Sequence, residues 1–455
     1  MATAPASLTI RMFNVGFGDC FLLTFNYAKG PRHMLVDFGS TSAPKRGSRN
    51  YMLRVAQEIR QVCGQKLHIV VATHRHKDHI SGFSTLQPTG QIIASLNPDA
   101  VIQPWTEDPR ALPAAMNAQS SVYTRGKPDS RKMTAHFLGS LADMHGVARA
   151  ITEFAAREEV AGKQTREQLR FLGDDNLRNE SAVRNLMRMG QRGKAYYVNA
   201  GMQLNILPGV KCTVLGPPTL AQSDEIRSMR ASDPSQFWQF RSFWSAQKLA
   251  LDRSRLGGAK VAGSRVPAAA STDARAGASG HAGAGGRTGA GATEPPPSVR
   301  WFINQARQIQ ADQMLALVRD LDDVMNNTSV ILLLEIGNQK ILLPGDAQIE
   351  NWSYALSQPK WQQLLADVSL YKVGHHGSRN ATPKQLWNLF KHTGDAQTAD
   401  RIETLCSTKS GKHGALRSGT EVPRQLLLKE LKARSRFTSS EESEDTFCSV
   451  TTLTF

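Results

Sequence analysis

The sequence contains no run of about 20 apolar residues, the length that a helix needs to cross a bilayer, so an integral membrane protein is not expected. Residues 1–8 lack a basic patch followed by an apolar run, and we expect no secretory signal there. Cysteine is scarce and scattered, which argues against a disulfide framework or a cysteine metal motif. The five cysteines are Cys20, Cys63, Cys212, Cys406 and Cys448. These absences predict a reduced, soluble, cytoplasmic protein.

Acidic residues are outnumbered, with 39 Asp and Glu against 55 Lys and Arg and a formal net charge of +16. Such an excess attracts polyanions such as nucleic acid or anionic lipid headgroups, although an inert basic surface is an equally good interpretation. The 455 residues suffice for a sizeable core, yet only 40% of them are hydrophobic, below the usual ~45–50%. We therefore expect one stretch of the chain to stay outside the core.

Strand and helix patterns alternate along the first part of the chain. Short β-prone runs lie at 8–15, 20–25 and 33–39, with turn residues between the first two. Apolar residues recur with helical periodicity over 51–62, and 67–72 has the pattern of a buried strand. Strands followed by a helix and another strand predict an α/β fold, with a mixed sheet and helices on its face.

Composition changes twice in the middle of the chain. Residues from about 105 to 200 are mostly helical and basic in pattern, before strand signals resume at 204–215. Residues 221–256 are helical and rich in aromatic residues, which we expect to pack on the domain rather than to stack on bases. Residues 257–298 are rich in Gly, Ala, Ser and Thr without any Phe, Tyr or Trp, and predict a disordered linker.

The sequence Thr-His-Arg-His-Lys-Asp-His at 73–79 carries the clearest chemical signal, since it directly follows the buried strand at 67–72. Alternate residues of an extended chain point to the same side, so His74 and His76 can converge beyond the strand end. A turn would bring Asp78 and His79 into the same cavity. Three imidazoles and a carboxylate suit zinc or a similar divalent ion. The alternative is a chance cluster of surface histidines.

This His-x-His-x-Asp-His pattern resembles the signature of the metallo-β-lactamase superfamily. Further segments are similar to other motifs of that family: 14–20, 35–39, 342–347, 371–378 and 406–414. The segment at 406–414 is similar to a strand end with glycine and histidine that occurs in one branch of the family. That branch includes the hydrolase domain of the competence DNA-uptake channel. The resemblance covers 8–90, 204–220 and 328–435, about half of the chain, and implies a four-layer αββα sandwich. The predicted divisions are a first half of this domain at 1–105, a helical basic insertion at 106–200, core strands at 201–220, the aromatic-rich segment at 221–256, the linker at 257–298 and the second half at 299–455.

The resemblance also implies a metal site with two ions, of zinc or another divalent metal such as manganese. The implied ligands are His74, His76, Asp78, His79, Asp346 and one of the pair His375 and His376. Asp346 is a candidate ligand even without the resemblance, because a carboxylate buried after an apolar strand needs a cation or hydrogen-bond donors nearby. Asp37, at the end of the third strand, is expected to orient a histidine ligand from behind. Asp78 would also orient the water that acts as nucleophile. His413 is a weaker candidate, as a catalytic acid or as a hydrogen-bond donor to a substrate phosphate.

One position departs from the family pattern. Most members supply another histidine after the strand that corresponds to 210–215, but Gly216, Pro217 and Pro218 stand here. His136 and His145 lie in the helical insertion and are poor replacements. The departure leaves the occupancy of the first metal position and the identity of the metal open.

The expected activity is hydrolysis by a metal-activated water. The basic charge and the branch resemblance favour a phosphodiester or other anionic substrate, with nucleic acid as one candidate partner. One alternative is hydrolysis of an ester, lactone or thioester at the same site, since this fold hosts several activities. Another is a non-catalytic protein that binds a polyanion through residues 178–194 and 409–436. A β-lactam substrate is not expected, and the oligomeric state stays open.

Overall fold

The computed structural model describes residues 4–45, 50–110, 179–219, 221–223, 325–380, 382–412, 421–442 and 447–455. The linker predicted at 257–298 and the candidates His413, His136 and His145 lie outside these residues. So do most of the predicted helical insertion and of the aromatic-rich segment. The described part of the chain has an α/β fold, as the sequence predicts.

The described strands form two seven-stranded mixed sheets. The first sheet contains β1 (Ser7–Phe13), β2 (Cys20–Tyr27), β3 (Gly30–Phe38), β4 (Ile69–Val71), β5 (Ala100–Pro104), β6 (Lys194–Val198) and β14 (Cys448–Thr454). The second contains β7 (Gln203–Leu207), β8 (Val210–Gly216), β9 (Ile331–Ile336), β10 (Gln339–Leu343), β11 (Leu370–Lys372), β12 (Glu403–Cys406) and β13 (Arg436–Ser439). Their spatial orders are β14-β1-β2-β3-β4-β5-β6 and β13-β12-β11-β10-β9-β8-β7.

Each sheet has an antiparallel part and a parallel part. In the first sheet β14, β1, β2 and β3 pair antiparallel, whereas β3, β4, β5 and β6 pair parallel. In the second sheet β7 to β10 pair antiparallel and β10 to β13 pair parallel. The carboxyl ends of parallel neighbours meet at one sheet edge, which is where ligand sites of α/β sheets form.

Apolar residues of both sheets share one core. Ile10 and Phe21 of the first sheet belong to the same buried cluster as Leu332 and Ile341 of the second. The alternating strand residues Leu22 and Leu35 point away from this cluster and pack on helices instead. The second sheet likewise packs residues such as Leu333 on its own helices. The period-2 alternation of these strands therefore divides their side chains between two apolar layers.

The helices that cover the first sheet are Tyr51–Cys63, Pro88–Ser95 and Glu180–Arg192. Those that cover the second are Ile349–Leu356, Pro359–Ala366, Lys384–Leu389 and Gln425–Arg434. A short helix, Lys77–Ile80, and three 3₁₀ turns, Ser81–Phe83, Trp105–Glu107 and His375–Gly377, lie in loops. Across the described ranges, no helix has the length and apolar character needed to span a bilayer.

One strand lies where the sequence pattern predicted helix. β6 pairs parallel with β5 at the edge of the first sheet, and the preceding helix Glu180–Arg192 buries Leu186 and Met189 against that sheet. Lys194 and Ala195 are exposed and only Val198 is buried, because an edge strand has fewer neighbours. Because neither face of the strand is consistently buried, its sequence does not alternate clearly between apolar and polar residues, and sequence analysis had no strand pattern to detect.

Candidate metal centre

Loops from both sheets converge at the carboxyl ends of parallel strands. From the first sheet, Asp37 stands at the end of β3 and residues 73–79 follow β4. From the second sheet, Asp346 follows β10, and His375 and His376 follow β11. The backbone joins the two sheets here, since Val330 N donates to Thr73 O at 2.9 Å. The candidate site therefore lies where the two parallel halves face each other.

Gly345 allows the loop after β10 to approach the loop after β4. Its φ is +57°, in the left-handed region that favours glycine. A Cβ at this position would lie 2.7 Å from Thr73 Cβ, too close for any other residue. The glycine therefore lets the backbone place Asp346 directly beside the His74–His79 loop.

Four buried side chains direct ligand atoms at one point. One atom from each of Asp78, His79, Asp346 and His376 lies within 4.8 Å of the other three. His79 Nε2 is 3.0 Å from Asp346 Oδ2 and 3.9 Å from Asp78 Oδ2. His376 Nε2 is 2.9 Å from Asp78 Oδ2 and 3.4 Å from Asp346 Oδ2. Two histidines and two carboxylates, half from each sheet, thus share one buried point.

These distances fit a divalent metal ion. Four ligand atoms that surround an ion tetrahedrally at about 2.1 Å lie about 3.4 Å from one another, within the observed range. Asp346 Oδ1 is buried and accepts no hydrogen bond from any residue that the structure describes. The Lys372 ammonium, 3.6 Å away, supplies part of the positive charge that this carboxylate oxygen needs. The donor set and its spacing therefore suit a metal ion.

His74 and His76 lie beside these four groups as a second pair. His74 Nε2 and His76 Nδ1 are 3.0 Å apart, both rings are buried, and the ring centroids of His74 and His79 are 4.2 Å apart. Burial, and then the charges of His79 and His76, lower the pKa of His74 well below its usual value. His74 is thus neutral at pH 7, the form of imidazole that binds metals.

The structure distinguishes between His375 and His376. His376 is fully buried, with Nε2 directed at the carboxylates and Nδ1 3.0 Å from Ser407 O. His375 is 22% exposed, and its Nε2 lies 4.0 Å from Asp346 Oδ2. Both residues have positive φ, which turns consecutive side chains in different directions. His376 therefore points into the cluster, and His375 lies at its rim.

Asp37 holds His79 from behind. Its Oδ2 is 2.8 Å from His79 Nδ1, and Thr73 donates to Asp37 through its backbone N at 2.8 Å and its Oγ1 at 2.7 Å. A carboxylate that accepts from Nδ1 leaves Nε2 without a proton when an ion is present, and it fixes the plane of the ring. Asp37 therefore aims His79 Nε2 at Asp346.

Sequence reasoning missed two buried charged residues beneath the centre, Asp19 and Lys372. Lys372 Nζ forms an ion pair with Asp19, lies 3.6 Å from Asp346 Oδ1 and donates to Gly345 O at 3.1 Å. Asp19 Oδ1 is 3.4 Å from His376 Nδ1. A sequence signal for this pair was present, because Lys372 lies in the motif at 371–378 and Asp19 in the motif at 14–20, two of the motifs that carry the family resemblance. A lysine inside a buried strand usually requires a buried partner.

The charges in the centre shift one another's pKa. Burial opposes ionisation throughout, but His79, His376 and Lys372 outweigh it and hold the pKa of Asp346 well below its usual range. Burial also opposes protonation of His376, yet Asp346 and Asp19 raise its pKa to about 10. In the absence of metal, protonated histidines thus balance the carboxylates. The same carboxylates would balance a divalent cation.

Arg75 points away from the centre although it stands between His74 and His76. Its Nε donates to Glu107 Oε1 at 2.8 Å, and Asn179 Nδ2 donates to Arg75 O at 2.8 Å. Glu107 lies just after β5, so this pair fixes the His74–His79 loop to the neighbouring strand end. Arg75 therefore supports the loop and does not enter the cluster.

No described histidine replaces the one that the family pattern has after β8. His33 bonds to Thr24 Oγ1, His68 Nδ1 accepts from the His33 backbone N, and His392 pairs with Asp400. Across the described ranges, the cluster around Asp346 therefore contains the six groups His74, His76, Asp78, His79, Asp346 and His376, with His375 at its rim. A scan against protein-family models and a search of curated proteins both returned no match.

Proposed function

We propose that this protein is a metal-dependent hydrolase that acts on a phosphodiester or another anionic substrate. The observation that carries the proposal is the buried set Asp78, His79, Asp346 and His376, whose ligand atoms have the spacing of a metal site. These groups follow strands of two separate sheets, and a further partner such as Asp37 fixes the direction of His79, as expected of ligands that share one ion.

The fold supports the same proposal. Two sheets share a core, each packs helices on its other face, and the candidate ligands lie at one common edge. This is the arrangement expected of the four-layer αββα sandwich that the sequence motifs imply. We therefore propose that the chain is a distant member of the metallo-β-lactamase superfamily, closest to the branch with the DNA-uptake hydrolase domain.

Asp78, His79, Asp346 and His376 would hold one ion, and His74, His76 and Asp346 would hold a second at a position that lacks the usual third histidine. Nitrogen and oxygen donors suit zinc, with manganese as an alternative. When bound, such ions supply Lewis acidity and a water of lowered pKa. The net charge of +16 favours an anionic substrate.

The residues around the ions have separate tasks. Asp37 fixes the direction of His79 Nε2, and Lys372 holds Asp346 from below through its ammonium group. His375 is the partly exposed imidazole of the centre. Burial lowers its pKa to about 4 against the opposing effect of Asp346, so at pH 7 it is neutral. A neutral imidazole can donate a hydrogen bond from one ring nitrogen to a substrate oxygen.

The test is turnover by purified protein loaded with zinc or manganese. The substrates are a chromogenic phosphodiester, single-stranded DNA and a panel of lactones and thioesters. We expect turnover of the phosphodiesters, loss of at least 100-fold in Asp78→Asn, and no change in the control His392→Ala, whose side chain bonds outside the centre. Turnover of lactones or thioesters alone would replace the proposed substrate. Salt-dependent DNA binding without any turnover, unaffected by Asp78→Asn, would replace the enzyme with a binding protein.

A further inference from the structure

Thr73 is held in place from both sheets. It follows β4 of the first sheet and is buried, and its backbone O accepts from Val330 N, just before β9 of the second sheet, at 2.9 Å. Its side chain packs against Gly345, where an added Cβ would lie 2.9 Å from Thr73 Oγ1. The packing on either side therefore fixes the position of the Thr73 hydroxyl.

This hydroxyl stands between Asp37 and the candidate ligand His74. Thr73 Oγ1 is 2.7 Å from Asp37 Oδ2 and 3.2 Å from His74 Nδ1. An ionised carboxylate only accepts hydrogen bonds, so the single hydroxyl proton is donated to Asp37. The hydroxyl oxygen is then left to accept a hydrogen bond from His74 Nδ1, which must carry the ring proton.

The direction of these hydrogen bonds assigns the tautomer of His74. A neutral imidazole has one ring proton, so Nε2 carries none when Nδ1 donates. Nε2 accepts from His76 Nδ1 at 3.0 Å, and its lone pair is the one that a metal ion can use. Asp37 Oδ2 also accepts from His79 Nδ1 at 2.8 Å. One carboxylate therefore directs two imidazoles, His79 by contact and His74 through Thr73.

We propose that Thr73 is a positioning residue of the candidate metal centre, whose hydroxyl holds His74 with its proton on Nδ1 and its Nε2 available to an ion. This inference rests on the proposed function and makes it more specific, because it separates the supports of two candidate ligands. Loss of the hydroxyl should disturb His74 alone, since Asp37 keeps its direct contact with His79. Only the ion position that includes His74 should then be weakened.

The test compares four full-length proteins: the parent, Thr73→Val, Thr73→Ser and the control Thr404→Val. Valine removes the hydroxyl and serine keeps it, whereas the control removes a buried hydroxyl that bonds to Ser435 in the second sheet. The metal-free proteins carry 15N-labelled histidine, and two-bond 15N–1H spectra identify the protonated ring nitrogen. The His74 signal is assigned by its absence in His74→Gln. Stepwise zinc binding is measured by competition with a chromogenic chelator.

We expect the parent, Thr73→Ser and the control to show His74 protonated on Nδ1 and to bind zinc alike. Thr73→Val should show both tautomers of His74. One of its zinc-binding steps should be about 10- to 100-fold weaker and the other unchanged, as for loss of a partner behind one ligand. The spectrum of the parent tests the tautomer even if a variant does not fold.

Three results would overturn the role of Thr73 and leave the proposed function in place. These are a proton on His74 Nε2 in the parent, equal zinc affinities of Thr73→Val and Thr73→Ser, and weakening of both binding steps or of the control. A parent that binds neither zinc nor manganese would overturn the proposed function, and the role of Thr73 with it. A parent that binds metal but hydrolyses no substrate would overturn the hydrolase alone.

Discussion

The Nδ1 atom of His79 lies 2.8 Å from Oδ2 of Asp37, at the base of the candidate metal centre. This contact fixes an imidazole whose other nitrogen is 3.0 Å from Asp346. Two side chains from different strand ends thus set the direction of one nitrogen. The candidate centre depends on such support as much as on its ligands.

Asp37→Asn should therefore weaken metal binding without removing a ligand. The amide keeps the shape of the carboxylate but loses its charge and one acceptor, so we expect zinc affinity to fall by about 10- to 100-fold. Competition with a chromogenic chelator measures the affinity. Asp367→Asn, at an exposed ion pair with Lys391, is the matched control and should bind zinc as the parent does. Unchanged affinity in Asp37→Asn would contradict the role given to this contact.

His376→Ala and His375→Ala should differ sharply. Removal of His376 takes away a buried nitrogen 2.9 Å from Asp78 Oδ2, and we expect its variant to lose at least one bound ion per chain. His375 lies at the rim, so its variant should keep the metal content of the parent and lose turnover by about 10- to 100-fold. Elemental analysis of purified protein, together with kcat on a phosphodiester, separates the two. The reverse pattern of metal content would exchange the roles of the two histidines.

The metal-free protein should lose stability as the pH rises above neutrality. Burial opposes protonation of His376, but Asp346 and Asp19 raise its folded pKa to about 10, whereas an unfolded histidine titrates near 6.5. Its stabilising effect is therefore complete below pH ~6.5 and is lost as the pH rises toward 10. Thermal unfolding in chelator should show Tm falling across this interval, and falling less in His376→Gln. A Tm independent of pH, or the same decline in the variant, would refute the assignment.

Lys372 and Asp19 should be coupled in their contribution to stability. Each is buried and charged, and each loses its main partner when the other is replaced. We expect Lys372→Met and Asp19→Asn each to lower the free energy of unfolding by about 3–5 kcal/mol. The double variant should lose clearly less than the sum of the two, because it leaves no uncompensated charge between these positions. Denaturant titrations of the four proteins give the coupling, and additive losses would show that the pair does not act as a unit.

Much of the fold was accessible from the sequence because apolar runs at β1, β2, β3 and β8 face a core on one or both sides. The edge strand β6 was missed, since an edge position buries only Val198 completely. Motifs identified His74, His76, Asp78, His79, Asp346 and the pair His375 and His376 as candidates. Which member of that pair faces the cluster depends on backbone φ angles that no local pattern encodes. The pair Asp19 and Lys372 was missed because its members are far apart in the chain and meet only through the packing of the two sheets.

The candidate ligands Asp78 and His79 follow a strand of one sheet, and Asp346 and His376 follow strands of the other. An ion held by all four would act as a removable cross-link between two distant stretches of the chain, comparable to a disulfide that closes a very long loop. Separation of the sheets would then require release of the ion. The resistance of this protein to proteases and to mechanical force would accordingly follow the supply of metal in its surroundings.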